Sequence, residues 1–203
     1  MAMRKVIIWP DPRLREVARP VERIDSEVRA LAQDLLDTMH NEEDPGIGLA
    51  ATQLGVPKRM FTVEVPAERG DLPDRYRAQE IRTDDPIASS PRDEHDSCAE
   101  QTSTPRPLVC INPEFTHKEG KVRFEEGCLS LPGEKGVVER AARVVIQYTD
   151  LRGERQRLRA GGLLSICLQH EYDHLDGKLW VDYQSRFKRE IVRRKMLKRK
   201  RAR

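Results

Sequence analysis

The pentapeptide His170-Glu171-Tyr172-Asp173-His174 gathers two imidazoles and a carboxylate within little more than one helical turn. On an α-helix of about 3.6 residues per turn, His170 and His174 share one face about 6 Å apart, a span that one metal ion can bridge. Glu171 lies a quarter turn from His170, within reach of a water on that ion as its proton acceptor. The preceding Leu163-Leu164-Ser165-Ile166-Cys167-Leu168 is strongly apolar, so the helix is expected to be buried. Imidazoles and a carboxylate on a buried helix need partners, and a metal supplies one.

Two protein ligands are too few for a catalytic centre, which takes three and an open position. In the pattern His-Glu-x-x-His-x-x-Gly-x-x-His, this sequence has Gly177 in place but Trp180 where the last His belongs. Trp180 cannot ligate. Glu190, a downstream acid of the zincin type, sits in a basic run where salt pairing is its plainer role. Cys167 lies about 10.5 Å along the helix axis from His174, too far for the two side chains to converge on one ion. Cys167 and Cys110 therefore read as core, and Cys98 has no evident partner. Cys128, in Glu125-Glu126-Gly127-Cys128-Leu129-Ser130-Leu131-Pro132, occupies an irregular turn with free backbone N–H groups. It is the best third ligand.

The elements that must hold these residues are legible in part. Ile24, Val28, Leu31, Leu35, Leu36 and Met39 recur at three- and four-residue steps, which predicts a helix near 26–40 capped by Asp25 or Ser26. The acidic run Asn41-Glu42-Glu43-Asp44-Pro45 ends it. Gly46-Ile47-Gly48-Leu49-Ala50-Ala51-Thr52-Gln53 is built of small residues that let a backbone pass close by. Strands are expected at 60–65 and at 108–113, the latter stopped at Asn112-Pro113. Val144 to Thr149 alternates and turns at Asp150-Leu151-Arg152-Gly153 towards a partner near 154–159. Helices are expected at 162–175 and at 183–199. Strands with segregated helices, lacking regular βαβ alternation, indicate an α+β domain. Residues 66–106 hold five prolines and no apolar periodicity, and read as a polar surface insertion, mobile in whole or part.

Of the 203 residues, 37% are hydrophobic and 35% charged, as suits one core with segments that do not join it. No apolar run reaches the length of a membrane span, and the start carries no signal-peptide pattern, so the expected compartment is the cytoplasm. Four cysteines are too few for a disulfide scaffold. The net charge of +3 hides an asymmetry: residues 186–203 hold eleven Lys or Arg against Glu190, a tail of +10 on a body of −7. Such a basic end is either a solvated face or a nucleic-acid contact. Tyr183, Phe187 and Ile191 step by four and could dock the last helix with its cations outward.

Three segments in order, Gly46–Gln53, Glu126-Gly127-Cys128-Leu129-Ser130 and Gln169-His170-Glu171-Tyr172-Asp173-His174-Leu175-Asp176-Gly177, together resemble peptide deformylase. The resemblance covers about residues 1–65 and 107–195 and leaves 66–106 unexplained. It implies one domain over 1–203, with antiparallel strands packed around a central metal-binding helix and a basic C-terminal helix at 183–203. It implies an enzyme that hydrolyses the formyl group from the N-terminal formylmethionine of newly made chains, releasing formate. By motif match, Cys128, His170 and His174 hold the metal, with water as the fourth ligand. Glu171 takes the water's proton and returns it to the leaving amine. The Gln53 side-chain amide and the Leu129 backbone N–H donate to the oxyanion. Ile47, Gly48 and Gly127 line the substrate groove. Read without the family, Gln53 serves equally well as a turn or helix-start hydrogen-bonding residue.

One thiolate and two imidazoles suit zinc, iron(II), cobalt or nickel. The resemblance points to iron(II) as the native ion, and to the ribosome as a partner of the basic helix. Two other readings compete. A peptidase of the same His-Glu-His geometry lacks its downstream third ligand. A non-enzymatic RNA-binding protein with a structural metal has no use for Glu171.

Overall fold

A computed structural model describes residues 4–41, 45–67 and 99–201. Most of the proposed insertion, Cys98 included, and residues 42–44 lie outside them. Helix α1 spans Ser26–Met39, and the Asp25 carboxylate caps it by accepting from the Val28 N–H at 3.0 Å. Five strands form one antiparallel sheet in the order β1 (Gly48–Ala50), β2 (Met60–Val63), β3 (Leu108–Glu119), β6 (Arg143–Thr149) and β7 (Arg155–Gly161). Strands β4 (Val122–Gly127) and β5 (Lys135–Arg140) pair as a separate hairpin. Helix α2 spans Gly162–Leu175 and helix α3 Arg186–Arg201. The architecture is the expected α+β arrangement with antiparallel strands.

The alternation of a strand explains how the sheet is covered on both faces. On β2, Phe61 and Val63 join Cys110, Ile146 and Leu158 against Leu164, Leu168 and Leu175 of α2. On the opposite face, Met60 and Ile111 meet Leu31, Leu35 and Met39 of α1. A third cluster joins Ile7, Trp9 and Leu14 to Cys128 and Val138 of the hairpin region, to Trp180, and to Val192 and Met196 of α3. Helix α2 thus runs between layers and is buried almost all round. Burying each of its leucines contributes about 1.5–3 kcal/mol, which holds a helix carrying so many polar groups in the interior.

Several expectations are corrected. Asn112-Pro113 does not stop β3. The strand continues to Glu119 through a register shift between Ile111 and Glu114, with Asn112 at φ 48°. Asn112 tolerates that left-handed backbone, and its side chain clasps Val21, accepting from its N–H and donating to its carbonyl, both at 2.8 Å. The β4–β5 hairpin was not anticipated at all. The last helix begins at Arg186 rather than 183, and Tyr183 closes a short helical turn, Trp180–Tyr183. Its docking face also differs. Val192 and Met196 are buried, whereas Phe187 is 78%, Tyr183 47% and Ile191 40% exposed. At the described end of the 66–106 stretch, residues join the body: Thr104 is buried and hydrogen-bonds Val65, and Gln101 bridges to Ala160.

Candidate active site

Helix α2, the turn after β4 and the segment around β1 bring the expected residues together. Strand β4 ends at Gly127, so Cys128 enters the connection to β5 through a tight turn whose Leu131 N–H donates to the Cys128 carbonyl at 2.9 Å. The Trp9 N–H pins that turn by donating to the Ser130 carbonyl, also at 2.9 Å. From α2, His170 and His174 face Cys128. The Cys128 Sγ to His174 Nε2 distance is 3.3 Å, and the two histidine Nε2 atoms are 3.3 Å apart. All three donor atoms lie within 4.8 Å of one another.

This donor set fits a metal ion. Ligands bonded at about 2.0–2.3 Å in a tetrahedron stand about 3.3–3.7 Å from each other. A buried thiol and two imidazole nitrogens packed that closely, with no apolar filler between them, have the spacing of a coordination shell. Cys167 is outside the cluster, as the axial distance required: it is buried and its Sγ donates to the Ile47 carbonyl at 3.5 Å. Glu190 pairs with Arg193 and Arg194, and Trp180 is wholly buried core.

Electrostatics divides the two histidines. Burial pushes the His174 imidazole well below its ordinary range, with His170 and Arg140 adding to the effect, which keeps it neutral. Burial acts the same way on His170, but Cys128 and Glu126 outweigh it and raise its pKa well above the usual value. His170 Nδ1 donates to Glu126 Oε2 at 2.8 Å, so its Nε2 is the atom left to ligate. Burial would raise the Glu126 carboxyl, yet Arg140 and His170 hold it down at about 2. Arg140 meets Glu126 with two hydrogen bonds of 2.7 and 2.9 Å.

Glu171 is buried beside the cluster, and its Oε2 has no hydrogen-bond partner. Burial raises its carboxyl to about 7, where it can both take and give a proton near neutrality. A Cβ at position 48 would stand 2.4 Å from Glu171 Oε1, so any larger residue there would push the carboxylate out of its place. The sequence reading gave Gly48 to substrate pairing, and the carboxylate adds a second requirement. Gln53 is buried, and the Ala50 N–H donates to its Oε1 at 2.8 Å. That bond turns the Gln53 NH2 towards Cys128 Sγ at 3.6 Å and Ser130 Oγ at 3.2 Å. The Leu129 N–H has no acceptor among the described residues.

A cleft opens over this centre, bounded by Ile47, Gly48, Gly127 and Leu129 as well as Cys128, His170 and Glu171. Its apolar wall is Phe124, Leu163, Ile166 and Cys167, none of which sequence reasoning placed at the site. For Leu163, Ile166 and Cys167 the signal was the apolar run on α2, which indicates burial and cannot say that one face lines a cleft; Phe124 lies on β4. Glu126 and Arg140 were also missed, because 14 residues separate them along the chain.

The model of the family described as polypeptide deformylase matches residues 3–190. The chain belongs to the polypeptide deformylase family. Family members are metallohydrolases that remove the N-formyl group from nascent peptides. The peptide deformylase of Alkalilimnicola ehrlichii is 41% identical over 198 residues, covering 98% of this chain and 91% of that one. A crystal structure of a peptide deformylase from Legionella pneumophila superposes with a TM-score of 0.76 at 36% identity, covering 99% of this chain and 97% of that one. The enzyme from Ehrlichia chaffeensis, solved in complex with actinonin, gives 0.80 at 33% identity and 99% coverage of both chains.

Proposed function

We propose that this chain hydrolyses the N-formyl group of formylmethionyl nascent peptides at the centre formed by Cys128, His170 and His174, with Glu171 as proton carrier. The convergence of Cys128 Sγ and the two histidine Nε2 atoms beside the unpartnered Glu171 Oε2 carries the reading. A divalent cation bound by the three donors supplies Lewis acidity towards a water and the formyl carbonyl. Iron(II) is the native ion in this reading, and zinc, nickel or cobalt can occupy the same donors. A ferrous thiolate centre also favours a reducing compartment, and we place the reaction in the cytoplasm. No helix of the described residues is long and apolar enough to cross a membrane.

The side chains divide the remaining work. Glu171 accepts the proton of the attacking water and delivers it to the amine nitrogen as the C–N bond breaks, leaving formate and a free N-terminus. Gln53 Nε2 and the Leu129 N–H donate to the oxyanion that develops on the formyl oxygen. Strand β1 pairs only with β2 among the described residues, so the backbone of Gly48 is open to an extended peptide, with Ile47 lining the groove beside it. Gly127 bounds the groove opposite. The methionine side chain, an unbranched apolar thioether, suits the apolar wall of Phe124, Leu163, Ile166 and Cys167.

Exchanging Cys128 for serine tests the donor set. A hard hydroxyl replaces the soft thiolate, so metal content after purification and dialysis should fall or the bound metal should change. Unchanged content and identity in elemental analysis would clear Cys128 of the role.

The basic helix supports ribosome contact in the same reading. Arg186, Arg193, Arg194 and Lys198 are exposed alongside Phe187 and Ile191. Deleting 186–203 would also remove the buried Val192 and Met196, so charge replacement is the cleaner test. Replacing Arg193, Arg194 and Lys198 with glutamine should weaken ribosome binding and flatten its salt dependence. Binding indifferent to both salt and these replacements would exclude the contact.

A further inference from the structure

We infer that Tyr183 is a positioning residue of the metal centre, acting on His170 through Asp173, Arg140 and Glu126. The inference rests on Cys128, His170 and His174 holding the metal. The connection is a continuous run of short hydrogen bonds. Tyr183 Oη donates to Asp173 Oδ2 at 2.8 Å, and Arg140 Nη1 donates to the same oxygen at 2.5 Å. The rest of the Arg140 fork holds both oxygens of Glu126, which accepts from His170 Nδ1. The Arg140 Cζ also lies 4.9 Å from the centre of the Tyr183 ring, so the tyrosine touches the guanidinium with both ring and hydroxyl.

The chemistry of the run gives Tyr183 its task. Glu126, Arg140 and Asp173 are all buried, and two carboxylates compete for one guanidinium. Asp173 is balanced by the phenol hydroxyl. Without that donor Asp173 draws harder on Arg140, whose fork must then leave the geometry that aims Glu126 at His170. Partners of a ligating histidine fix its tautomer and ring orientation. Tyr183 reaches that histidine from the outside of the fold, at the end of the turn anchored by the buried Trp180 and Val181, just before the basic α3. The mechanism above gives no role to Tyr183, Asp173 or Arg140, although Arg140 is the most enclosed cation in the region of the site.

The test is Tyr183→Phe in the full chain, which keeps the ring and removes only the hydroxyl. Direct partners of ligating histidines are worth about 10–100-fold in metal affinity or activity, and Tyr183 stands beyond Glu126, with Arg140 and Asp173 between them. Turnover is therefore expected to fall by about three- to tenfold with KM for a formylated peptide held within about twofold. Cobalt(II) loaded into the variant should show an altered visible spectrum and pass to a chelator at least about threefold faster than from wild type. A wild-type cobalt spectrum and release rate in the variant overturn the proposal, whatever happens to melting temperature, because a merely structural tyrosine would move only the latter. Arg140→Lys keeps the charge and loses the fork. Adding Tyr183→Phe to it should cost nothing more, and an additive loss likewise overturns the relay. Wild-type protein that binds no cobalt would instead remove the metal reading on which the relay stands.

Discussion

Glu171→Gln is expected to keep its metal and lose turnover by a factor of about 10²–10⁴, the contribution of a positioned proton carrier. The exchange is nearly isosteric. Glu171 ligates nothing in the cluster of Cys128, His170 and His174, so metal content measured after dialysis should match wild type. Glutamine cannot accept the proton of the attacking water or return it to the amine, so kcat falls while KM for the formylated peptide holds. The amide also removes the group whose pKa burial lifts to about 7. A variant within tenfold of wild type would mean that Glu171 is not the base.

Gln53→Leu carries the second large effect. The side chain is buried, and the Ala50 N–H fixes which end of the amide faces the cleft. A donor aimed in advance at a developing oxyanion is worth about 10²–10³ in kcat. Leucine fills similar volume and removes that donor, so the loss should appear in kcat with metal content intact. The reading of Gln53 as a turn residue makes a different forecast. In that case melting temperature falls with the loss of the hydrogen bonds to Ala50 and Ser130, while kcat of the folded protein stays within a few-fold. Steady-state kinetics with a melting curve on the same preparation separates the two.

How much of this was legible in the sequence follows from which interactions leave a periodic trace. Helix α1 shows its stripe of Val28, Leu31, Leu35 and Met39 because one face alone is buried. The start and end of α2 match the expected 162–175, since Gly161-Gly162 opens an apolar run that closes at Leu175. The convergence of Cys128, His170 and His174 was legible because spacing on a helix is geometry, and because Cys128 alone stood in a turn able to aim a thiol. The β4–β5 hairpin was not. Its strands alternate Phe124 and Val138 with Glu125, Arg123 and Glu139, and the buried Glu126 and Arg140 mask the pattern by satisfying each other.

The docking face of α3 failed for a related reason. Phe187 and Ile191 form one four-residue step and Val192 and Met196 another, and helical periodicity cannot choose which faces the body. Packing against Leu131, Val138 and Trp180 makes that choice, through contacts far away in the chain. Ion pairs then secure it, with Lys195 and Arg199 both reaching the buried Glu134. The stripe left over, with Phe187 most exposed, is the one beside the solvent-exposed cations. The continuation of β3 past Asn112-Pro113 was hidden likewise, because the Asn112 side chain bonds that hold the bend go to Val21.

The central claim is tested most directly by formate release from a formyl-Met-Ala-Ser peptide. The protein is purified without oxygen and supplied with iron(II), with Cys128→Ser and Glu171→Gln prepared alongside. The structure predicts rapid stoichiometric formate from wild type and almost none from either variant. Wild-type protein that is folded and metal-loaded yet releases no formate would contradict the account.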